Sequence, residues 1–195
     1  MSAIIHQTID MVGDKYPLSA FLEQVSERNH NNIPLEVLSV SNKFGFVSQS
    51  EQFEDREIAS ADKSNYKIVS KDVFAYNPAR INVGSIARMK VNAQGIVSPM
   101  YICFKVKEGL LPQYLEYYFE STQFQKEIEK RLEGSVRLCL LFDGLCNIKV
   151  RIPQAKLQQK IVNRITSIGQ KIDLETRILC AFQKERNALL RSMFI

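Results

Sequence analysis

The sequence is short of the residues from which most metal, disulfide and enzyme sites are built. It contains no tryptophan, and only two histidines, His6 and His30, are present. The four cysteines stand singly, at Cys103, Cys139, Cys146 and Cys180. Because there is no C-x-x-C pair and no histidine near a cysteine, we predict neither a zinc site nor a disulfide framework. We interpret the cysteines as small buried hydrophobic residues.

Catalytic motifs are also absent. No glycine-rich loop follows a predicted strand and opens a helix, which excludes a P-loop and a dinucleotide-binding fingerprint. A DNA amino-methyltransferase needs a tetrapeptide such as N-P-P-Y, and the nearest sequence, residues 77–80, lacks the second proline and the aromatic residue that stacks on a flipped base. We interpret the acidic run at residues 51–57 as a solvated face. The sequence therefore predicts a protein without catalytic residues, metal or cofactor of its own.

Long apolar runs are missing as well. No stretch approaches the roughly 20 consecutive apolar residues that a membrane span needs. The first residues, among them Asp10 and Asp14, lack the basic region and cleavage site of a signal peptide. A composition that is 45% hydrophobic and 24% charged is typical of globular proteins. We therefore expect a cytoplasmic protein without a membrane partner.

The net charge of +5 is unevenly distributed. Residues 154–195 contain eight basic and three acidic residues, whereas residues 1–153 contain 18 of each. Within that neutral part, residues 71–107 carry six basic residues and a single acid. Such a segment suits contacts with phosphates, although a charged stretch is more often a solvated face.

Hydrophobic periodicity predicts an α+β domain over residues 1–153. Residues 20–25 predict a short helix with Ser19 as its N-cap. Two strands are predicted at residues 33–40 and 45–47, and several more between Tyr66 and Val106, where the period is two. One helix should run from Pro112 to Leu132, and closing strands are expected at residues 136–142 and 148–152. We predict a mixed, mainly antiparallel β-sheet with flanking helices.

Residues 154–195 predict one long helix. They contain no proline and one glycine, and steps of four and three from Ile161 meet apolar residues at eight of ten positions. The eight are Ile161, Ile165, Ile168, Ile172, Leu179, Phe182, Leu189 and Met193. This is the a/d pattern of a coiled coil, on a helix roughly 60 Å long at about 1.5 Å per residue. The alternative is a helix packed back on its own domain, which so long a stripe would overhang, so we predict a dimerisation helix.

Two charged residues, Glu175 and Arg186, interrupt the stripe. In an antiparallel pair centred near residues 180–181, Glu175 of one chain would face Arg186 of the other and fix the register. Equally, both side chains extend to solvent along their apolar stems. The sequence leaves both alternatives open.

Several segments together resemble a known family. They are YPL at 16–18, PLEVLSVS at 34–41, YKIV at 66–69, FAYNPARINVGSI at 74–86, GIVSPMY at 95–101, GSVR at 134–137, IPQAKLQQKI at 152–161 and LLRSMFI at 189–195. These segments resemble the target-recognition domain of type I restriction–modification specificity subunits. Residues 77–85 and 95–101 are the most specific part of the match.

The resemblance implies a division of labour. In this family the globular domain reads half of a split DNA target, and the long helix is a spacer that joins modification subunits, which carry S-adenosylmethionine and methylate adenine. A restriction subunit joins them to cleave DNA. Family members usually hold two recognition domains and two helices, whereas this chain holds one of each, residues 1–153 and 154–195. A half-length subunit would pair with itself, and two-fold symmetry then predicts an interrupted palindromic target.

DNA contacts are expected from side chains that reach base edges or phosphates. The candidates are Lys43, Arg80, Arg88, Lys90, Ser98, Tyr101 and Arg137, with Lys71 as a phosphate contact. Residues 77–85 are alternatively a turn scaffold in which Arg80 braces the backbone, with the readers then lying in residues 41–64.

Two other functions fit the same sequence. One is an orphan sequence-specific DNA-binding protein without an enzyme partner, and the other is a coiled-coil interaction protein that binds no nucleic acid. Steep salt dependence of binding to duplex DNA distinguishes the DNA-binding functions from the last one. Co-purification with a methyltransferase subunit distinguishes the first function from the orphan.

Overall fold

The computed structural model describes residues 13–49, 62–132 and 138–193. Its strands in these ranges are β1 (Asp14–Pro17), β2 (Leu22–Val25), β3 (Glu36–Ser41), β4 (Gly45–Ser48), β5 (Lys67–Val69), β6 (Phe74–Tyr76), β7 (Ile86–Arg88), β8 (Gly95–Val97), β9 (Ile102–Val106) and β10 (Lys149–Ile152). The α-helices are α1 (Pro112–Phe119), α2 (Thr122–Glu129), α3 (Phe142–Cys146) and α4 (Ala155–Met193). Short 3-10 turns occupy Leu18–Ala20 and Ile81–Val83.

The strands form three sheets. The central sheet has the order β2-β9-β6-β7 and is antiparallel throughout, and a second sheet has the order β4-β3-β8-β5 with one parallel pair, β3 and β8. The third sheet is the antiparallel pair of β1 and β10. The predicted mixed, mainly antiparallel architecture is confirmed, but as three sheets rather than one.

The central sheet is covered on both faces because its side chains alternate. Phe74, Tyr76 and Phe104 enter a core shared with α1, α2 and the start of α4, and the rings of Phe74 and Phe104 stack with centroids 5.1 Å apart. Ala75 and Cys103 point to the opposite face and pack against residues of the second sheet. Side chains on both faces of the sheet are therefore buried, because successive residues of a strand point to opposite faces.

The start of α4 belongs to the domain core. Ile161, Val162 and Ile165 are buried among core residues. Gln158 is fully buried, where its amide donates to the carbonyls of Gly109 and Pro153 at 2.8 Å each and its Oε1 accepts from the Leu111 N–H at 2.8 Å. Every residue described after Gly169 is exposed. The predicted long helix is thus confirmed, while Ile161 and Ile165 are covered by their own chain.

Residues 22–25 are a strand, so the predicted helix at residues 20–25 is wrong. β2 pairs with β9 from Leu22↔Val106 to Val25↔Cys103, a partner about eighty residues away that local propensity does not report. Ser19 lies within the 3-10 turn rather than at a helix N-cap.

The predicted helix from Pro112 to Leu132 is two helices. Ser121 separates them, because its hydroxyl accepts from the Phe124 N–H at 3.2 Å as the N-cap of α2 and donates to the Tyr118 carbonyl at 2.6 Å. The predicted strand at residues 136–142 is also wrong where the structure describes it, since Phe142 begins α3. Residues 133–137 lie outside the described ranges.

The four cysteines are free thiols in different environments. Cys103 is buried, and burial raises its pKa to about 11. Cys139 and Cys146 are half-buried and Cys180 is exposed, so the interpretation of all four as buried residues holds for Cys103 alone. None of the helices in the described ranges combines the length and apolarity that crossing a bilayer requires.

Candidate nucleic-acid interface

Three loops meet beside the end of β3. They are the tip of the β3–β4 hairpin at residues 42–44, the loop at residues 77–85, and the turn at residues 98–101. The last residue pair between β3 and β8 is Leu38↔Val97, so Val40 of β3 has no partner in β8. There the Ser85 hydroxyl donates to the Val40 carbonyl at 3.2 Å, and the Tyr101 hydroxyl accepts from the Val40 N–H at 3.4 Å. The Ser85 and Tyr101 side chains therefore form the hydrogen bonds that β8 does not form with Val40, because a buried backbone N–H or C=O needs a partner.

The loop at residues 77–85 supports the hairpin. Gly84 has φ +86°, and a Cβ there would lie 3.4 Å from the Cβ of Asn42 in the hairpin turn, which explains the glycine at this position. From the other side, Gln125 of α2 donates to the Asn82 carbonyl at 2.7 Å. This loop thus connects the hairpin to α2.

A groove of about 870 Å³ separates the hairpin from the helices. Lys43 and Phe44 line its hairpin wall, Lys90 lies after β7, and Glu120 and Gln125 lie on the helical wall. Burial, and to a smaller extent the charge of Glu116, raises the pKa of Glu120, while Lys90 opposes this shift.

Arg88 lies in this groove but is committed to the domain. Its side chain is 8% exposed and forms ion pairs with Asp72 at 2.6 Å and with Glu116 at 2.8 Å. The Glu116 carboxylate also pairs with Lys90 at 2.8 Å. Since a guanidinium between two carboxylates fixes its partners, Arg88 holds the β6–β7 pair against α1.

The other candidate DNA contacts divide by exposure. Lys43, Lys71, Arg80 and Lys90 are exposed, whereas Ser98 is half-buried and Tyr101 is buried. Arg137 lies outside the described ranges. The structure brings Lys43 and Lys90 to one groove with Arg88. Tyr101 reaches the hairpin only through Val40.

Sequence reasoning did not select Phe44, although it is the most exposed of the large hydrophobic residues in the described ranges, at 80%. A phenylalanine between predicted strands is as typical of a core as of a surface, and its position in a tight hairpin turn was the only available signal.

Binding residues are commonly found on loops that a packed sheet holds in place, as it does here. In the described ranges no cluster of histidine, cysteine or acidic residues is arranged to hold a metal ion. Residues 21–181 match the model of the type I restriction modification DNA specificity domain. The chain therefore belongs to this family, as the resemblance predicted.

Individual relatives agree with the family. Over 104 residues the chain is 30% identical to the type I restriction enzyme HindI specificity subunit of Haemophilus influenzae. The matched region covers 51% of this chain and 22% of that protein. The fold is similar to the HsdS subunit from Thermoanaerobacter tengcongensis, with a TM-score of 0.60 and 15% identity over 91% of this chain and 44% of that one. It is also similar to a chain from a structure on complex assembly and conformational transition of the type I R-M system, with a TM-score of 0.66 and 13% identity over 96% of this chain and 48% of the other. The chain spans about half the length of these solved structures.

The contacts at Val40 predict a measurable loss of stability. Ser85→Ala and Tyr101→Phe each leave one polar atom of the buried Val40 peptide group without its partner, so each should lower the free energy of unfolding by about 1–3 kcal/mol. Urea denaturation followed by circular dichroism measures this. Tyr117→Phe is the matched control, because the Tyr117 hydroxyl bonds to Thr166 at an exposed position and its removal should cost well under 1 kcal/mol. Equal stabilities of Tyr101→Phe and Tyr117→Phe would contradict the role assigned to Val40.

Proposed function

We propose that this chain is the non-catalytic DNA-recognition subunit of a type I restriction–modification system, and that two copies pair through α4 to read a split palindromic target. The observation that carries the proposal is an apolar stripe on α4 that continues, uncovered, beyond a single recognition domain. A full reader of a split target needs two such domains, and a second copy supplies the other.

The stripe supports pairing because its exposed part is long and is interrupted only at Glu175 and Arg186. After Ile161 and Ile165 are covered by the domain, the same helix face presents Ile172, Leu179 and Leu189 to solvent. Fully burying one such side chain contributes about 1.5–3 kcal/mol. A helix face of this kind is stable in water only against a partner of matching length.

An antiparallel arrangement matches the stripe to itself. With its centre between residues 180 and 181, Leu179 of one copy stands opposite Phe182 of the other, and Ile172 stands opposite Leu189. By the same register Ile168 stands opposite position 193, and Glu175 opposite Arg186. A parallel pair would instead place Glu175 against Glu175 and Arg186 against Arg186. Charge thus favours an antiparallel over a parallel arrangement of the two helices.

This register sets the scale of the target. The Ile165 positions of the two copies would lie about 46 Å apart along the paired helices, at about 1.5 Å per residue. That distance is roughly one and a third turns of B-DNA at about 34–36 Å per turn. Two recognition domains so spaced would read two half-sites with an unread spacer between them.

The remaining partners follow from the family. Modification subunits that bind S-adenosylmethionine would join along the spacer helices and methylate adenine, and a restriction subunit would join them for cleavage. The chain itself then needs no cofactor. Its part is to bind duplex DNA through Lys43, Lys90 and the loops beside them.

A single charge on the stripe should separate the copies. Leu179→Asp places a carboxylate at the centre of the paired helices and should convert a dimer to a monomer at micromolar concentration, as sedimentation velocity measures. Leu174→Asp is the matched control, because Leu174 is exposed to the same 57% but lies on the opposite face of α4. A wild-type monomer, or dissociation by both variants alike, would contradict the pairing.

Methylation in cells tests the function itself. Expression of the chain with its cognate modification subunit should produce adenine methylation at one interrupted sequence whose halves are inverted repeats, because two identical domains are related by a two-fold axis. Sequencing of the methylated genome identifies the sequence. Methylation should be lost when the Leu179→Asp variant replaces the wild-type chain. Methylation at an asymmetric or uninterrupted sequence would exclude the symmetric reader.

A further inference from the structure

The tip of the β3–β4 hairpin exposes an aromatic ring that the domain does not use. Phe44 is 80% exposed, although its neighbour Phe46 packs against the core between the sheets. A phenylalanine left in water forgoes the stabilisation that burial of its ring would contribute. The ring is therefore a candidate contact with another molecule.

Hydrogen bonds hold the backbone that carries this ring. The Ser41 hydroxyl accepts from the N–H groups of Lys43 and Phe44 at 3.3 and 3.4 Å, which holds the turn closed. Gly45 follows with φ +72°, a conformation that glycine adopts without strain. At the base of the hairpin, Val40 is bonded to Ser85 and Tyr101. Because the turn backbone is already held, binding requires little further ordering of it, which favours affinity.

The hairpin tip carries a cation directly beside the ring, which suits a polyanionic partner. Lys43 precedes Phe44, and Lys90, with its side chain 66% exposed, lies in the same groove. The nearby acids Asp72 and Glu116 are paired with Arg88 and Lys90. Lys43 is thus the cation that stands beside the ring at the hairpin tip, whereas Glu120 adds an acidic group to the helical wall.

We propose that the β3–β4 hairpin enters the major groove of the target and that Phe44 specifies one A·T pair in each half-site by packing on the C5-methyl group of thymine. The inference rests on the proposed function. A two-stranded ribbon fits the major groove, and the thymine methyl is the apolar feature displayed there. Lys43 is then a phosphate contact that positions the hairpin.

The experiment selects binding sequences for the full-length chain from a pool of randomised DNA duplexes, and then measures affinity for the selected duplex. Phe44→Ala should lose one specified A·T position in each half of the selected consensus and weaken binding to the wild-type consensus about tenfold per half-site. Replacing the thymine at that position with deoxyuridine removes only the methyl group, and should weaken the wild-type chain about fourfold per half-site without affecting Phe44→Ala.

Two further variants isolate the ring. Lys43→Ala should retain the consensus, weaken binding to all sequences, and reduce the salt dependence by about one ion per half-site. Ile33→Ala, an exposed apolar residue at the other end of β3, should change neither consensus nor affinity.

The inference is overturned if Phe44→Ala keeps the wild-type consensus and affinity, or if it loses only the binding of a purified modification subunit, which would make the ring a protein contact. It is also overturned if deoxyuridine is tolerated at every selected position. A wild-type chain without sequence preference would instead refute the proposed function, and the inference with it.

Discussion

The attachment of α4 to the domain is the contact on which the rest of the molecule depends. One face of this helix is continuous, yet it is buried at Ile161 and Ile165 and exposed from Ile172 onward. Gln158 locks the starting point, since its three hydrogen bonds join the helix to the loop before α1 and to the end of β10. Because the first turns are fixed in the core, the direction in which the rest of the helix leaves the domain is fixed too. A spacer needs that property, because its length sets a distance only if its origin is rigid.

The loops beside β3 are also held in place by buried contacts, on a smaller scale. The hairpin tip lies beyond the last residue pair between β3 and β8. There the Ser85 and Tyr101 side chains form hydrogen bonds to the backbone C=O and N–H of Val40. Arg88 likewise holds the structure beside the groove together, because it forms ion pairs with both Asp72 and Glu116. Residues close to the surface are thus occupied with holding loops in place, whereas Lys43 and Phe44 are exposed at the hairpin tip.

The parts of the structure that are periodic in sequence were predictable, and those set by distant contacts were not. The long helix and the strands between residues 66 and 106 follow from side-chain spacing alone. Strand β2 does not follow from its own side-chain spacing, because its extended conformation depends on pairing with the distant β9. Among the candidate contacts, Arg88 and Tyr101 have the residue types of DNA readers, but the partners of Arg88 lie 16 and 28 residues away and that of Tyr101 lies 61 away. Only the folded chain reveals that these side chains are already engaged.

Hydroxyl-radical footprinting of the purified chain on its target duplex tests the symmetric half-length reader most directly. Two identical domains, held about 46 Å apart by antiparallel helices at about 1.5 Å per residue, should give two protected patches. The patches should be equal, related by a two-fold axis and separated by unprotected backbone. One continuous patch, or two patches that differ in extent, would contradict the account.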